Sequence, residues 1–286
     1  MCPRCCMCLE DNWACPNCHW EAVKLDGYLA FAPTLAQNNT GFRPEYFTDL
    51  AVLEEKNFWF RSRNRLIVWA LGRYFSGAAS FLEIGCGTGY VLAGIMSAFP
   101  GMQLFGSEIY TAGLGFSSAR APKATLFQMD ACEIPFKDEF DVIGTFDVLE
   151  HIEEDECVLQ QLYRAVRPGG GIILTVPQHS FLWSQQDEAA CHARRYSKHE
   201  LKKKVEAAGF EVKMTTSFVS LLLPLMLLSR LRKRVPEEHY DPMAELRLGS
   251  MVNSILEGIM NIERVLTQCG VRFPLGGSLL LVAGKP

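Results

Sequence analysis

The sequence lacks a long apolar run. The longest, Phe218 to Leu228, is eleven residues with Pro224 inside. A helix crossing a bilayer needs about 20 residues, so this run cannot span one. An excess of positive charge is also missing: 28 Lys and Arg face 32 Asp and Glu, for a net charge of −4. That balance removes the global attraction on which nucleic-acid binding relies. The first residues show no basic segment followed by an apolar core, so no secretory leader is expected and the chain reads as cytoplasmic. There is no internal repeat and no low-complexity tract. With 49% hydrophobic and 21% charged residues, disorder, collagen and coiled coil are excluded. The 286 residues suffice for one large domain with appendages.

Cysteine is sparse over most of the chain and crowded at its start. Six of the eleven (Cys2, Cys5, Cys6, Cys8, Cys15 and Cys18) lie in the first eighteen residues. Without a leader a disulfide framework is disfavoured and a metal site favoured. Cys2-Pro3-Arg4-Cys5 and Cys15-Pro16-Asn17-Cys18 form two C-P-x-C knuckles. Four thiolates in paired C-x-x-C turns suit tetrahedral, structural zinc. Cys5 and Cys8 share that spacing, so a second register stays open. Proline in both outer knuckles favours Cys2, Cys5, Cys15 and Cys18 as ligands. The rival is a flexible tail of oxidisable thiols. Residues 1–26 therefore read as a zinc-ribbon-like module. Residues 27–44, with breakers and the run Gln37-Asn38-Asn39-Thr40, read as a linker.

Beyond it, a helical pattern over Glu45–Phe75 gives way to alternating strands and helices. Strands are expected at Ala79–Ile84, Gln103–Ser107, Ala124–Gln128, Phe140–Thr145, Gly171–Val176, Phe210–Phe218 and Ser278–Ala283. Helices are expected at Thr88–Phe99, Thr111–Arg120, Glu153–Val166 and Ser197–Gly209, the last opened by a Ser197/Glu200 capping box. This alternation predicts an α/β fold with a doubly wound parallel sheet. Residues 45–286 form that domain, with 219–277 as a helical insertion between the last two strands.

The first of these strands ends in Glu83-Ile84-Gly85-Cys86-Gly87-Thr88-Gly89. Alternate glycines permit a sharp turn and close approach of a ligand to the backbone. The spacing is neither the dinucleotide fingerprint nor a P-loop. Acids follow the next strands in order. Glu108-Ile109 suits ribose hydroxyls, and Met129-Asp130-Ala131 suits an adenine amino group. Phe146-Asp147-Val148-Leu149-Glu150-His151 closes the fourth strand.

With Phe140-Asp141-Val142-Ile143 and Arg167-Pro168-Gly169-Gly170, these segments together resemble class I S-adenosylmethionine-dependent methyltransferases. The branch is similar to ubiquinone-biosynthesis O-methyltransferases and other small-molecule enzymes. The resemblance covers about residues 45–218 and the last strand. It implies a Rossmann-like seven-stranded sheet with an antiparallel last strand. It implies S-adenosylmethionine as cofactor and S-adenosylhomocysteine as product. Cofactor contacts are expected from Glu83, Gly85, Cys86, Gly87, Gly89, Glu108, Ile109, Met129, Asp130, Ala131, Phe146, Asp147 and Leu149. Trp59 and Arg63, in the preceding helix, are expected at the methionine end, where Arg63 would meet the carboxylate. The strand-four motif of nucleic-acid base methylation is absent, and Thr145-Phe146-Asp147-Val148 stands in its place.

Three histidines sit where an acceptor should lie, and a histidine base assists hydroxyl deprotonation. His192 is favoured, then His179; His151 reads more as a structural residue. The resemblance to quinone enzymes also makes Glu150, His151 and Glu153 a candidate divalent-metal set. The expected substrate is a small or medium acceptor, natural product, sugar or lipid-linked. The apolar insertion with Arg230-Leu231-Arg232-Lys233-Arg234 reads as a lid or dimer face. Peripheral membrane contact through 218–234 is the alternative. The chain is expected to be a monomer or homodimer. Rivals are a ribosomal RNA methyltransferase with a zinc module, a non-catalytic interaction protein, and a non-methylating use of the bound sulfonium. Calorimetric titration with S-adenosylhomocysteine separates enzyme from inactive scaffold: saturable binding is expected, and none at millimolar ligand would refute it.

Overall fold

The computed structural model describes all residues except 3, 6, 11, 37–42, 231–235 and 237–239. The polar run 37–40 and the basic stretch beyond Arg230 therefore lie outside the described residues.

Nine strands form one sheet. In chain order they are β1 (Val23–Leu25), β2 (Tyr28–Ala30), β3 (Ser80–Ile84), β4 (Gln103–Glu108), β5 (Thr125–Gln128), β6 (Phe140–Phe146), β7 (Val166–Pro177), β8 (Glu211–Phe218) and β9 (Ser278–Gly284). The spatial order is β1-β2-β5-β4-β3-β6-β7-β9-β8. From β2 to β7 every pairing is parallel, and β9 runs antiparallel between β7 and β8. The seven strands expected from the sequence are β3 to β9. The two further strands come from the N-terminal segment. Asp26 and Gly27 both have positive φ (49° and 88°), which lets a two-residue turn close the β1–β2 hairpin. Part of the segment expected as linker is thus a sheet strand.

Helices cover both faces. On one lie α1 (Tyr46–Leu53), α2 (Phe58–Tyr74), α3 (Tyr90–Ala98), α4 (Thr111–Arg120) and α9 (Ser250–Gln268). On the other lie α5 (Asp155–Ala165) and α7 (Lys198–Ala207). The single helical pattern over 45–75 is two helices. Asn57 separates them by capping α2, its side-chain oxygen accepting from the Trp59 N–H at 2.8 Å. Successive strand residues feed opposite cores, as period two demands. In β9, Leu279 and Leu281 pack with the α5/α7 face, while Leu280 and Val282 pack with α2 and α3. With both faces covered, the central strands are apolar almost throughout.

The insertion contains α8 (Leu223–Arg230), a short turn at Ala244–Leu246, and α9. No helix among the described residues is long and apolar enough to cross a membrane.

The N-terminal module is welded to the sheet edge by aromatic rings. Trp13 and Trp20 pack on Phe31 with centroids 5.4 and 6.2 Å apart, and Phe31 meets Phe127 and Phe136 at 5.9 and 6.1 Å. Phe31 is the hub of that cluster and is 5% exposed. Phe31→Ala should cost about 3–5 kcal/mol through lost burial and a residual cavity, read as a lower denaturant midpoint.

Candidate cofactor and acceptor cavity

The order of strands reverses at β3, between β4 and β6. Ligands in such sheets bind beyond the carboxyl ends at that reversal. A cavity of about 970 Å³ opens there. The glycine turn forms its floor. Gly85, Gly87 and Gly89 have φ of 69°, 50° and 75°, a region that other residues enter at a cost. A Cβ at Gly85 would lie 2.5 Å from Val148, and one at Gly89 would lie 2.7 Å from the Ser117 backbone.

Of the residues expected at the cofactor, Trp59, Arg63, Glu83, Gly85, Cys86, Gly87, Glu108, Ile109, Met129, Asp130, Ala131, Phe146 and Asp147 line this cavity. Gly89 and Leu149 stand off its wall. Gly89 caps α3, and Leu149 belongs to the apolar core.

Glu108 is buried, and its carboxylate is already at work inside the protein. It accepts from the backbone N–H groups of Gly87, Ile109 and Tyr110 at 3.0, 2.9 and 3.3 Å. A carboxylate offers about four lone-pair sites, so one remains for a hydroxyl. Burial raises its pKa. Asp130 accepts from the Cys132 N–H at 2.9 Å through Oδ1. Arg63 is 8% exposed, stacks on the Trp59 ring at 4.6 Å and pairs with Asp147. Its Nε is buried without a hydrogen-bond partner, as is Oε2 of Glu83. Burial pushes Glu83 well above the usual carboxylate range, opposed by Arg63. An orphaned guanidinium nitrogen and an orphaned carboxylate oxygen beside a glycine cradle suit a zwitterionic amino-acid end. The residues present therefore fit S-adenosylmethionine.

Another part of the cavity carries histidine. Nδ1 of His192 meets Oδ1 of Asp187 at 2.9 Å. Asp187 is fully buried and accepts from Arg195 Nε at 2.7 Å and from the Ser184 N–H at 2.8 Å. Burial alone would raise its pKa, but His192 and Arg195 hold it well below the usual range. An ionised Asp187 fixes the proton on Nδ1, leaving Nε2 an acceptor. Nε2 lies 4.0 Å from Glu150. Glu150 is fully buried, and neither carboxylate oxygen has a hydrogen-bond partner. Burial, then Asp147, push its pKa well up.

The two further histidines part ways. His151 lines the cavity, with its ring 4.7 Å from that of His192. Burial and His192 push it down to about 3, so it stays neutral at ordinary pH. His179 lies off the cavity wall, with φ of 63° and its ring stacked on Phe181. The expected metal set is also rearranged. Glu150, His151 and His192 offer ligand atoms within 4.8 Å of one another. Glu153 is displaced from this group because Arg194 holds it at 2.8 Å.

Sequence reading missed Asp187, Arg195 and Gln128. The available signal for Asp187 was the capping box it forms with Ser184 at the start of α6 (Gln185–Ala189). Met226, Arg230, Met243 and Leu246 of the insertion roof the cavity. Asn57 Nδ2 pins this roof by donating to the Leu246 carbonyl at 2.9 Å, and Arg230 pairs with Glu245 at 3.4 Å.

In the N-terminal module, Sγ atoms of Cys2 and Cys18 lie 3.5 Å apart, and those of Cys5 and Cys15 lie 3.4 Å apart. All four fall within 4.8 Å of one another, whereas Cys8 is exposed. The register with proline in both knuckles is the one the fold brings together.

Removing the Glu108 carboxylate unties the glycine turn and deletes the remaining acceptor. Glu108→Ala should weaken S-adenosylhomocysteine binding about tenfold or more, measured by calorimetry.

The family profile described as "Methyltransferase domain" matches residues 52–214. A probable S-adenosylmethionine-dependent methyltransferase of Mycolicibacterium smegmatis is 30% identical over 166 residues, 57% of this chain and 63% of that protein. The ubiquinone biosynthesis O-methyltransferase of Pseudomonas putida is 27% identical over 120 residues, 37% of this chain and 48% of its own length. The chain thus spans less than two thirds of these relatives. Haemonchus contortus phosphoethanolamine N-methyltransferase 2, solved with S-adenosyl-L-methionine, superposes with a TM-score of 0.57 at 17% identity, over 92% of this chain and 61% of that one. That likeness shows the fold. By sheet order, cavity and matched length, the chain belongs to the methyltransferase-domain family, class I, S-adenosylmethionine-dependent.

Proposed function

We propose that this chain transfers a methyl group from S-adenosylmethionine to a hydroxyl of a small or medium, largely apolar acceptor. The observation that carries this reading is His192, whose Nδ1 is held by Asp187 and whose ring lines the cavity. The cofactor supplies an electrophilic methyl on sulfonium. Arg63 and Glu108 hold its charged and hydroxylated ends. His192 Nε2 takes the acceptor proton, and the ionised Asp187 stabilises the resulting imidazolium. Phe58, Met226, Met243 and Leu246 enclose the acceptor and exclude water. The apolar wall supports a natural-product or lipid-linked acceptor over nucleic acid. A Pseudomonas relative named as an O-methyltransferase agrees with this chemistry.

We assign structural zinc to Cys2, Cys5, Cys15 and Cys18. Four thiol sulfurs close together suit a tetrahedral ion and leave no open position for chemistry. A cytoplasmic location goes with free thiols. The roof helix α8 exposes Leu225 and Leu228, which suits contact with a lipid surface or a second subunit.

Turnover of isotope-labelled cofactor with an extract of apolar metabolites tests the reading. The labelled methyl is expected on oxygen; a labelled methyl on nitrogen overturns the hydroxyl assignment. His192→Ala should lower kcat by about 10²–10⁴ while leaving S-adenosylhomocysteine affinity unchanged. Asp187→Asn should lower kcat in the same direction by releasing the ring from its tautomer.

A further inference from the structure

The N-terminal segment meets the wall of the cofactor cavity at Gln128. Strand β2 lies on β5 with Leu29 opposite Phe127 and Ala30 opposite Gln128. The Phe31 N–H donates to the Gln128 carbonyl at 2.8 Å. The side-chain oxygen of Gln128 accepts from the Ala32 N–H at 3.1 Å. Its amide nitrogen donates to the carbonyls of Ala32 and Ile109 at 2.9 and 3.0 Å. Gln128 is fully buried. It therefore ties the incoming N-terminal strand to the loop that follows Glu108. Ile109 lines the cavity, as do Met129 and Asp130, which directly follow Gln128. Leu35, just past the strand, lines it as well.

What seats β2 is the second cysteine knuckle. Ala14 bridges Glu21, and the Cys15 N–H donates to the Trp20 carbonyl at 2.7 Å. This places Trp13 and Trp20 on either side of Cys15 and Cys18, with both rings on Phe31. Trp13 and His19 have φ of 64° and 57°. Such conformations are costly for bulky residues and persist only where the surroundings impose them. Four sulfurs drawn around one ion would impose them.

We propose that zinc in the Cys2, Cys5, Cys15 and Cys18 site raises the affinity for S-adenosylmethionine, with Gln128 as the positioning residue between the two sites. The proposal rests on the zinc assignment above. Loss of the ion relaxes the knuckle and unseats Trp13 and Trp20. Strand β2 then frays from β5, and Ile109 and Met129 lose their placement. Coupling between binding sites is reciprocal, so bound cofactor product raises the affinity for zinc by the same factor.

The test uses the full chain as purified. Atomic emission measures zinc per chain, and calorimetry measures the Kd of S-adenosylhomocysteine before and after chelation. About a tenfold weakening on stripping is expected, reversed by added zinc. Saturating S-adenosylhomocysteine should lower the share of zinc that a competing chromogenic chelator removes at equilibrium. Gln128→Met keeps volume and the metal site but loses the side-chain hydrogen bonds. It should retain zinc, weaken S-adenosylhomocysteine and abolish the protection against zinc loss. If stripping unfolds the chain, that variant decides. A chain without stoichiometric zinc overturns both the zinc assignment and the coupling. Zinc-loaded protein whose S-adenosylhomocysteine affinity is unmoved by stripping or by Gln128→Met overturns the coupling alone.

Discussion

Glu108 links three strand ends, two through its carboxylate and the third through its backbone carbonyl. It accepts from Gly87 in the turn after β3 and from Ile109 and Tyr110 after β4. The Glu108 carbonyl in turn accepts from the Met129 N–H after β5, at 3.2 Å. The glycine cradle, the ribose acceptor and the adenine-side loop are thereby fixed relative to one another. The sheet brings the strand ends to the same level, and this one acid converts adjacency into a binding shape.

Around that acid the protein buries more carboxyl groups than it pairs with cations. Glu54, Glu83, Glu108 and Glu150 are all buried and all line the cavity. Arg120 pairs with Glu54, and Arg63 pairs with Asp147. Oε2 of Glu83 and both oxygens of Glu150 have no hydrogen-bond partner. Burying such groups unpaired costs stability. The imbalance has a use in a cavity that must receive a cationic, hydroxyl-rich ligand. A sulfonium and an ammonium are the counter-charges this wall lacks. Function here is stored as unsatisfied electrostatics, with the apolar sheet beneath providing the stability to tolerate it.

Much of this was legible in the sequence, for physical reasons. Five of the seven main strands could be read from their ends, since β3, β4, β5, β6 and β9 each stop at or within two residues of a glycine or an acid. Glu108 and Asp130 could be placed because acids after successive parallel strands have few structural uses. Asn57 was harder to see. It directly follows Glu54-Glu55-Lys56, so the cap is hidden in a run of polar residues. The role of Asp187 was hidden because its partners, His192 and Arg195, come from the loop beyond its own helix. Strand β2 was missed because a three-residue strand has no periodicity to detect. Its partner β5 is far away in sequence, and its turn chemistry, Asp26-Gly27, looked like a breaker. The His179 expectation followed chain position alone, and a positive φ with a stack on Phe181 turned the ring elsewhere.

The pairing of β2 with β5 also bears on how the chain is made. Ala32 and Gln128 are 96 positions apart, yet their hydrogen bonds help finish the adenine-side loop. During synthesis the cysteine module emerges before β5 and has no sheet edge to join. Its tryptophans and the open face of Phe31 must wait until residue 128 has left the ribosome. Long-range pairing of this kind is slow and leaves apolar surface uncovered in the interval. The same feature makes the cysteine module, translated well before its partner strand, among the last parts to settle.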